Sequence, residues 1–157
     1  MTKVRIFQPD SYYHIFNRSL NKKIIFHQEK DYDRFCIKVA NYQKKYKIRI
    51  IAYCFLPNHY HFLILTPGVG NCKISKFISD LSNSYARYYN ITRQRNGYVW
   101  QGRFKSKRIR SEQYLWTAIH YINTNPIKHK IVSSMRDWPY SSHQPAGSIK
   151  FAKKPIF

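Results

Sequence analysis

Two short apolar runs, separated by only two residues, limit the folds open to this chain. Residues 48–56 and 59–66 are rich in β-branched and aromatic side chains, and Pro57 and Asn58 stand between them. Runs of this length and composition predict strands. A break this short joins antiparallel neighbours, so the two runs predict a β-hairpin.

The other elements follow from composition and spacing: a strand at 12–16, helices at 31–46 and 74–88, a strand at 104–109, and a helix from Glu112 to about Thr124. Ser111 is placed to cap the last helix, and Pro126 is expected to close it. The order β-α-β-β-α-β plus one helix predicts an α+β fold, a ferredoxin-like split antiparallel sheet with an appended C-terminal helix. We predict one domain in residues 1–136 and an irregular basic tail in 137–157.

The charge of the chain indicates its partners. Lys and Arg number 28 against 7 acids, a formal net charge of +21 in 157 residues. Such self-repulsion usually persists because a polyanion neutralises it, and nucleic acid is a better candidate than a membrane surface. Seven scattered acids also argue against a nuclease in which three carboxylates hold two metal ions. No segment approaches the roughly 20 apolar residues that cross a bilayer, so no membrane association is expected.

The cysteines predict a compartment rather than a site. Cys36, Cys54 and Cys72 are an odd number, are widely spaced and form no C-x-x-C pair. This pattern is typical of buried thiols in a reducing environment, which predicts a cytoplasmic protein. The expected binding to DNA makes it nucleoid-associated in this prediction.

His59 and His61 open the second strand of the hairpin with one residue between them. Side chains alternate along a strand, so both imidazoles point the same way and can chelate one metal ion. The alternative is two hydrogen-bonded histidines without a ligand, which is the commoner role of an isolated H-x-H.

Tyr121 and Asn125 form a second pair, four residues apart on the last helix and therefore nearly above one another. A phenol oxygen can attack phosphorus, and an amide oxygen is a hard, neutral metal ligand. The alternative makes Tyr121 a packing residue and Asn125 a helix terminator before Pro126. If the helix packs beside His59 and His61, all four groups converge.

These residues together resemble a known family. His59-Tyr60-His61 resembles the His-hydrophobic-His (HUH) motif, and Tyr121 to Pro126 resembles the single-tyrosine segment of the same superfamily. The REP-associated tyrosine transposases are most similar in appearance, over about residues 13–142. The similarity includes further segments: Phe16-Asn17-Arg18, Ile25-Phe26, residues 31–35, Leu56-Pro57-Asn58, Trp100-Gln101-Gly102-Arg103-Phe104 and residues 137–142.

The resemblance implies metal-dependent cleavage and rejoining of single-stranded, hairpin-containing DNA, as in transposition. Tyr121 is then the nucleophile that forms a 5′-phosphotyrosine link, and His59, His61 and Asn125 hold one Mg²⁺ or Mn²⁺. The reaction conserves the phosphodiester energy, so no nucleotide cofactor is expected. Related enzymes include monomers and homodimers, and both states stay open for this chain.

Candidate DNA-binding residues cluster around the predicted fourth strand. Interleaved aromatic and cationic side chains suit a groove that follows the backbone and stacks on bases. The candidates are Arg18, Trp100, Arg103, Phe104, Lys105, Lys107, Arg108 and Arg110. The alternative is a solvated basic face, which is how most runs of charge behave.

Three functions therefore remain in competition on the sequence. The first is the metal-dependent tyrosine transposase. The second is a non-catalytic single-stranded nucleic-acid-binding protein whose sheet presents aromatic residues to bases. The third is a basic structural protein in which His59 and His61 only pack. Covalent protein–DNA adducts distinguish the first from the other two.

Overall fold

The computed structural model describes residues 5–143. Its strands are β1 (Tyr12–Arg18), β2 (Arg49–Leu56), β3 (His59–Leu65) and β4 (Lys105–Ile109), and its helices are α1 (Glu29–Tyr46), α2 (Ile74–Thr92) and α3 (Glu112–Lys128). Short 3₁₀ turns lie at Leu20–Lys22 and Met135–Asp137. The predicted order of elements is confirmed.

The four strands form one antiparallel sheet in the order β2-β3-β1-β4. β2 and β3 pair as the predicted hairpin, while β1 lies between β3 and β4. This is the split β-α-β-β-α-β arrangement, so the predicted fold class is confirmed. The register of β1 against β3 places Phe16 opposite His61 and Arg18 opposite His59.

α1 and α2 cover one face of the sheet and enclose the larger core. Fully buried rings from four elements meet there, because alternate strand residues and one stripe of each helix point inward. These rings belong to Phe35, Phe55, Tyr60, Phe62, Phe77 and Tyr85. Cys36 and Cys54 are buried free thiols, and Cys72 is a half-buried one.

α3 packs on the opposite face, over β2 and β3. Ala118 and Ile122 belong with Cys54, Leu56 and Leu63 of the sheet to a second, smaller core. The Ser111 hydroxyl accepts a hydrogen bond from the Tyr114 N–H at 3.1 Å and caps the helix as predicted.

The end of α3 differs from the prediction. The helix does not stop near Thr124 but continues through Pro126 to Lys128. Pro126 lies in the last turn, where a missing N–H removes only one hydrogen bond, and the backbone N–H of His129 still donates to the Asn125 carbonyl at 2.9 Å. Asn125 is therefore not a helix terminator.

The beginning of the predicted tail belongs to the folded domain. The Phe55 N–H donates to the Tyr140 carbonyl and the Ser142 N–H to the Tyr53 carbonyl, both at 2.9 Å, along the edge of β2. Tyr140 is buried and its ring stacks on Tyr32 with centroids 4.0 Å apart. The domain thus extends beyond 136 to at least 142, and residues 144–157 of the predicted tail lie outside the described residues.

Within residues 5–143, none of the helices combines the length and the apolar character needed to cross a membrane.

Candidate active site

His59 and His61 lie at the start of β3, directly after the hairpin turn. Strand alternation directs both rings toward the face that carries α3, with ring centroids 5.1 Å apart. Tyr60 points the other way and is fully buried in the larger core, against Phe35. The hairpin thus presents two histidines on one face of a rigid strand.

Tyr121 comes to this pair from α3. Its ring centroid lies 5.8 Å from that of His61 and 6.0 Å from that of His14, and the side chain is 37% exposed. The Lys128 Nζ lies 4.9 Å from the centroid of the same ring. The phenol is therefore accessible from solvent and has a cation beside it.

Two buried polar atoms, one on β3 and one on α3, have no hydrogen-bond partner among the described residues. They are the Nε2 atom of His61 and the Oδ1 atom of Asn125. Asn125 is fully buried, and its Nδ2 donates to the Tyr121 carbonyl at 2.8 Å. An unsatisfied buried polar group costs about 1–3 kcal/mol, so each of these atoms is a candidate to bind a ligand.

The donor types fit a divalent metal ion. Imidazole nitrogen and amide oxygen both bind Mg²⁺ or Mn²⁺ when water or phosphate completes the shell. In the part of the chain that the structure describes, no three His, Cys, Asp or Glu side chains form a metal-binding group. The Asn125 amide, water or phosphate could complete a site built on His59 and His61.

His59 is oriented by its sequence neighbour. The Asn58 Nδ2 donates to the Lys22 carbonyl at 3.0 Å, which turns the Oδ1 atom of Asn58 toward His59 Nδ1 at 2.6 Å. An amide oxygen only accepts, so the hydrogen lies on Nδ1 of His59. The Nε2 atom of neutral His59 then carries a lone pair.

A third histidine, His14 of β1, lies behind the pair. It is buried, and its Nε2 atom is 2.9 Å from Nδ1 of His61. His14 is not among the residues predicted from the sequence, because the register that aligns β1 with β3 is not visible in the sequence. A weak signal was present, since His14 and Phe16 share a face of β1 by strand alternation.

The environment keeps these imidazoles neutral. Burial lowers the pKa of His59 to about 4, with further contributions from His129 and Arg18. Burial, together with Lys107, likewise lowers the pKa of His14 to about 4. Burial also holds the pKa of His61 well below its usual range, and the neighbouring histidines add to the effect. At neutral pH each ring therefore retains a lone pair.

An open cavity of about 760 Å³ adjoins Tyr121, His59 and His61. Five cations line it: Arg18, Lys22, Arg103, Lys105 and Lys128. No Asp or Glu is found in its lining among residues 5–143. A cavity with this charge suits a phosphodiester chain rather than a cationic or neutral substrate.

The predicted DNA-binding residues divide into two groups. Arg18, Arg103 and Lys105 line the cavity, and Lys107 shares the face of Lys105 on β4. Arg108 points to the opposite face by strand alternation, and Arg110 lies beyond the end of β4. Both line a separate surface depression near Glu112, away from the histidines.

The structure places both predicted aromatic contacts, Trp100 and Phe104, against the larger core. Phe104 is buried in the larger core. Trp100 is half-buried, its ring packs on Tyr60, and its Nε1 donates to the Ser82 carbonyl at 2.9 Å. Apolar contacts thus withdraw Phe104 from solvent, whereas Trp100 keeps part of its surface exposed and its contact with DNA stays a prediction. The aromatic side chain that does line the cavity beside Tyr121 is Phe16.

Lys22, which the sequence also offered as a possible DNA contact, lines the cavity from the 3₁₀ turn. Gln101, from a loop, and Lys128 and His129, from the end of α3, line it as well and were not predicted; His129 lies 4.9 Å from His59 between ring centroids. Their sequence separation from the HUH motif left no local signal. The available signals were the place of Gln101 in the family-like segment 100–104 and, for Lys128, the general excess of cations.

Comparison with known sequences places the chain beside transposases. The family described as transposase IS200 like matches residues 7–125. A Haemophilus influenzae protein named as a REP-associated tyrosine transposase is 36% identical over 106 residues, which are 62% of this chain and 60% of that protein. The REP-associated tyrosine transposase of Escherichia coli is 28% identical over 93 residues, or 59% and 53% of the two chains. The match spans little more than half the length of these curated relatives.

Solved structures give the same fold. A REP-associated tyrosine transposase bound to a REP hairpin superposes with a TM-score of 0.78 at 20% identity, covering 97% of this chain and 88% of that one. A Deinococcus radiodurans protein described as a transposase superposes with a TM-score of 0.51 at 17% identity, covering 79% and 97%. At these identities the likeness shows the fold alone.

Proposed function

Because the chain belongs to the IS200-like transposase family, we propose that it cleaves and rejoins single-stranded DNA through a covalent tyrosine intermediate. The observation that carries the proposal is the convergence of Tyr121 on His61, with ring centroids 5.8 Å apart, at the edge of a cationic cavity. Three separate segments, β1, β3 and α3, supply this centre. A role of His59 and His61 in packing alone does not account for the unpartnered Nε2 atom of His61.

The chemical step is a transesterification. The Tyr121 oxygen bonds to phosphorus while the bond from phosphorus to the 3′-oxygen of the preceding nucleotide breaks. The phenol loses one proton and the departing oxygen gains one, so the products are a 5′-phosphotyrosine and a 3′-hydroxyl. Attack by a 3′-hydroxyl on the phosphotyrosine reverses the step and rejoins the strand.

The protein groups around Tyr121 have distinct roles in this step. Lys128, whose Nζ is 4.9 Å from the centroid of the Tyr121 ring, supplies positive charge that would stabilise a developing tyrosine anion. Arg18, Arg103 and Lys105 hold the phosphates that flank the scissile one. His59, His61 and Asn125 are the residues that would hold a divalent metal ion, which when bound supplies Lewis-acid polarisation of the phosphate.

The substrate class follows from the cavity and from a fold relative. One protein of this fold is bound to a REP hairpin, and the cavity of this chain carries five cations without a carboxylate in its described lining. We propose hairpin-containing single-stranded DNA as the substrate.

A direct experiment tests the proposal. The protein is incubated with Mn²⁺ and a DNA oligonucleotide that carries a hairpin, a single-stranded flank and a 3′-end label. A band of protein with attached label that survives SDS is expected, and digestion should leave the label on a peptide containing Tyr121. Tight binding without any adduct, over a range of flank sequences, would support the non-catalytic binding protein instead.

The same cavity predicts how binding depends on salt and strandedness. Affinity should fall steeply with salt, the slope growing by about 0.7 per phosphate neutralised on a single strand. A hairpin with a single-stranded flank should bind more tightly than plain duplex. The cavity lies beside the β2–β3 turn, and Phe16 lines it next to the cations, where an unpaired base can stack on the ring. Fluorescence anisotropy from low to moderate salt checks this, and equal affinities for both DNAs would favour a structural role.

Asn125→Ala tests the third proposed metal donor. The variant removes the buried Oδ1 atom, so the Mn²⁺ concentration that supports half-maximal adduct formation should rise about 10- to 100-fold, by analogy with the loss of a ligand-supporting contact. DNA binding without metal should change little, because Asn125 is fully buried. Asn125→Asp is the matched comparison, since it retains an oxygen and adds charge. An unchanged Mn²⁺ requirement in Asn125→Ala would leave only the two histidines as metal donors.

The non-catalytic binding mode is less well supported by the geometry. It requires several sheet aromatics that bases can reach, but Tyr60 and Phe62 are fully buried beneath α1 and α2, and Phe16 is the sheet residue with a phenyl ring in the cavity lining. α3 covers β2 and β3 on the other face.

A further inference from the structure

His14 is not one of the proposed metal ligands, but it contacts one of them, His61. His61 is 5% exposed, and its Nδ1 lies 2.9 Å from the Nε2 atom of His14. Two neutral imidazoles at this distance share one hydrogen, which lies on one of the two nitrogens. The direction of this hydrogen bond decides which nitrogen of His61 is left with a lone pair.

The two directions have different consequences. If His14 donates, the hydrogen of His61 lies on Nε2, a buried atom without a partner, so a buried N–H is left without an acceptor. If His61 donates from Nδ1, its Nε2 atom is a buried lone pair, which a metal ion can use. Ligand histidines generally donate their other N–H to a nearby acceptor, which orients the ring and raises its basicity.

His59 has the second arrangement, with its hydrogen on Nδ1 and a lone pair on Nε2. Asn58 can only accept from His59 Nδ1, because its amide nitrogen is engaged with the Lys22 carbonyl. Nε2 is therefore the lone-pair nitrogen of His59. One metal ion held by both rings through the same type of atom requires the same tautomer in His61.

We propose that His14 is a positioning residue for His61: its Nε2 accepts the Nδ1–H hydrogen bond and keeps the Nε2 lone pair of His61 available to the metal ion. The inference rests on the proposed function, since it assigns a role toward that metal. His14 is suited to this role because it stands on the central strand β1, and its ring is held between Phe16 and Tyr121 at centroid distances of 4.9 and 6.0 Å.

Two substitutions separate hydrogen bonding from packing. His14→Phe retains a ring of similar size without an acceptor, whereas His14→Gln offers an amide oxygen near the position of Nε2. Mn²⁺ binding to the DNA-free protein is measured by titration calorimetry or electron paramagnetic resonance, with circular dichroism to confirm folding. We expect a dissociation constant about 10- to 100-fold higher for His14→Phe and a value close to wild type for His14→Gln. Equal affinities in all three proteins, or equal losses in both variants, would overturn the role of His14 as an acceptor.

A second measurement does not depend on metal binding. The ¹⁵N chemical shifts of histidine in the metal-free protein report the tautomer of His61, with His61→Gln used to assign its signals. We expect the Nδ1–H form in the wild type and loss of that preference in His14→Phe. An Nε2–H form of His61 in the wild type would overturn the inference even if metal binds. Wild-type protein that binds no more Mn²⁺ than His61→Gln would instead refute the proposed metal site, and the tautomer would still decide the hydrogen bond.

Discussion

Tyr121→Phe is expected to abolish covalent attachment to DNA while DNA binding remains nearly unchanged. The substitution deletes one oxygen, the proposed nucleophile, and keeps a ring that contacts His61 and His14. Removing the nucleophile of an enzyme that works through a covalent intermediate typically lowers the rate by a factor on the order of 10⁴–10⁶. Adducts should therefore fall below detection.

The control for this variant lies two turns earlier on the same helix. Tyr114 is half-buried, and Lys107 Nζ lies 4.9 Å from its ring centroid, so Tyr114→Phe makes the same chemical change outside the cavity lining. Adduct formation should persist in Tyr114→Phe and vanish in Tyr121→Phe, as judged by labelled protein bands in SDS gels. Anisotropy titrations should give similar affinities for both. Adducts in Tyr121→Phe would mean that another tyrosine is the nucleophile, and Tyr60 is excluded from that role by its complete burial.

His59→Ala is expected to produce the second large loss. Electrostatic stabilisation by a bound metal ion is worth several kcal/mol in a phosphoryl transition state, and about 1.4 kcal/mol corresponds to a tenfold change in rate. Adduct formation should fall about 10²- to 10⁴-fold at a fixed Mn²⁺ concentration. Higher Mn²⁺ should recover part of it, because His61 and Asn125 remain. Single-turnover rates across a Mn²⁺ series measure both effects.

His120→Ala serves as the comparison for His59→Ala. His120 is exposed on α3 and does not line the cavity, so its removal should leave the rate and the Mn²⁺ requirement unchanged. His61→Ala should lower adduct formation as His59→Ala does. It also leaves Nε2 of buried His14 without a hydrogen-bond partner, which should lower the free energy of unfolding by about 1–3 kcal/mol. A His59→Ala protein with wild-type rates at every Mn²⁺ concentration would exclude this histidine from the metal site.

Much of this architecture was predictable from local sequence. The helical spacing of Phe35 and Val39 gave α1, and the break at Pro57 and Asn58 gave the hairpin. The common face of His59 and His61 followed from the two-residue period of a strand, and the stacking of Tyr121 above Asn125 from the helical period. These properties depend on residues within a few positions of each other, so one sequence contains them.

Tertiary structure alone decided how these elements meet. The sequence supplied the HUH motif and the tyrosine helix, but only the β1–β3 register brings His14 against His61. Phe104, a predicted DNA contact, is buried in the larger core, and Phe16 lines the cavity beside Tyr121. Register and burial are set by apolar packing between segments that are distant in the sequence, and such packing depends on the whole chain at once. A local pattern therefore determines the face on which a side chain lies, and the assembled core determines what that side chain contacts.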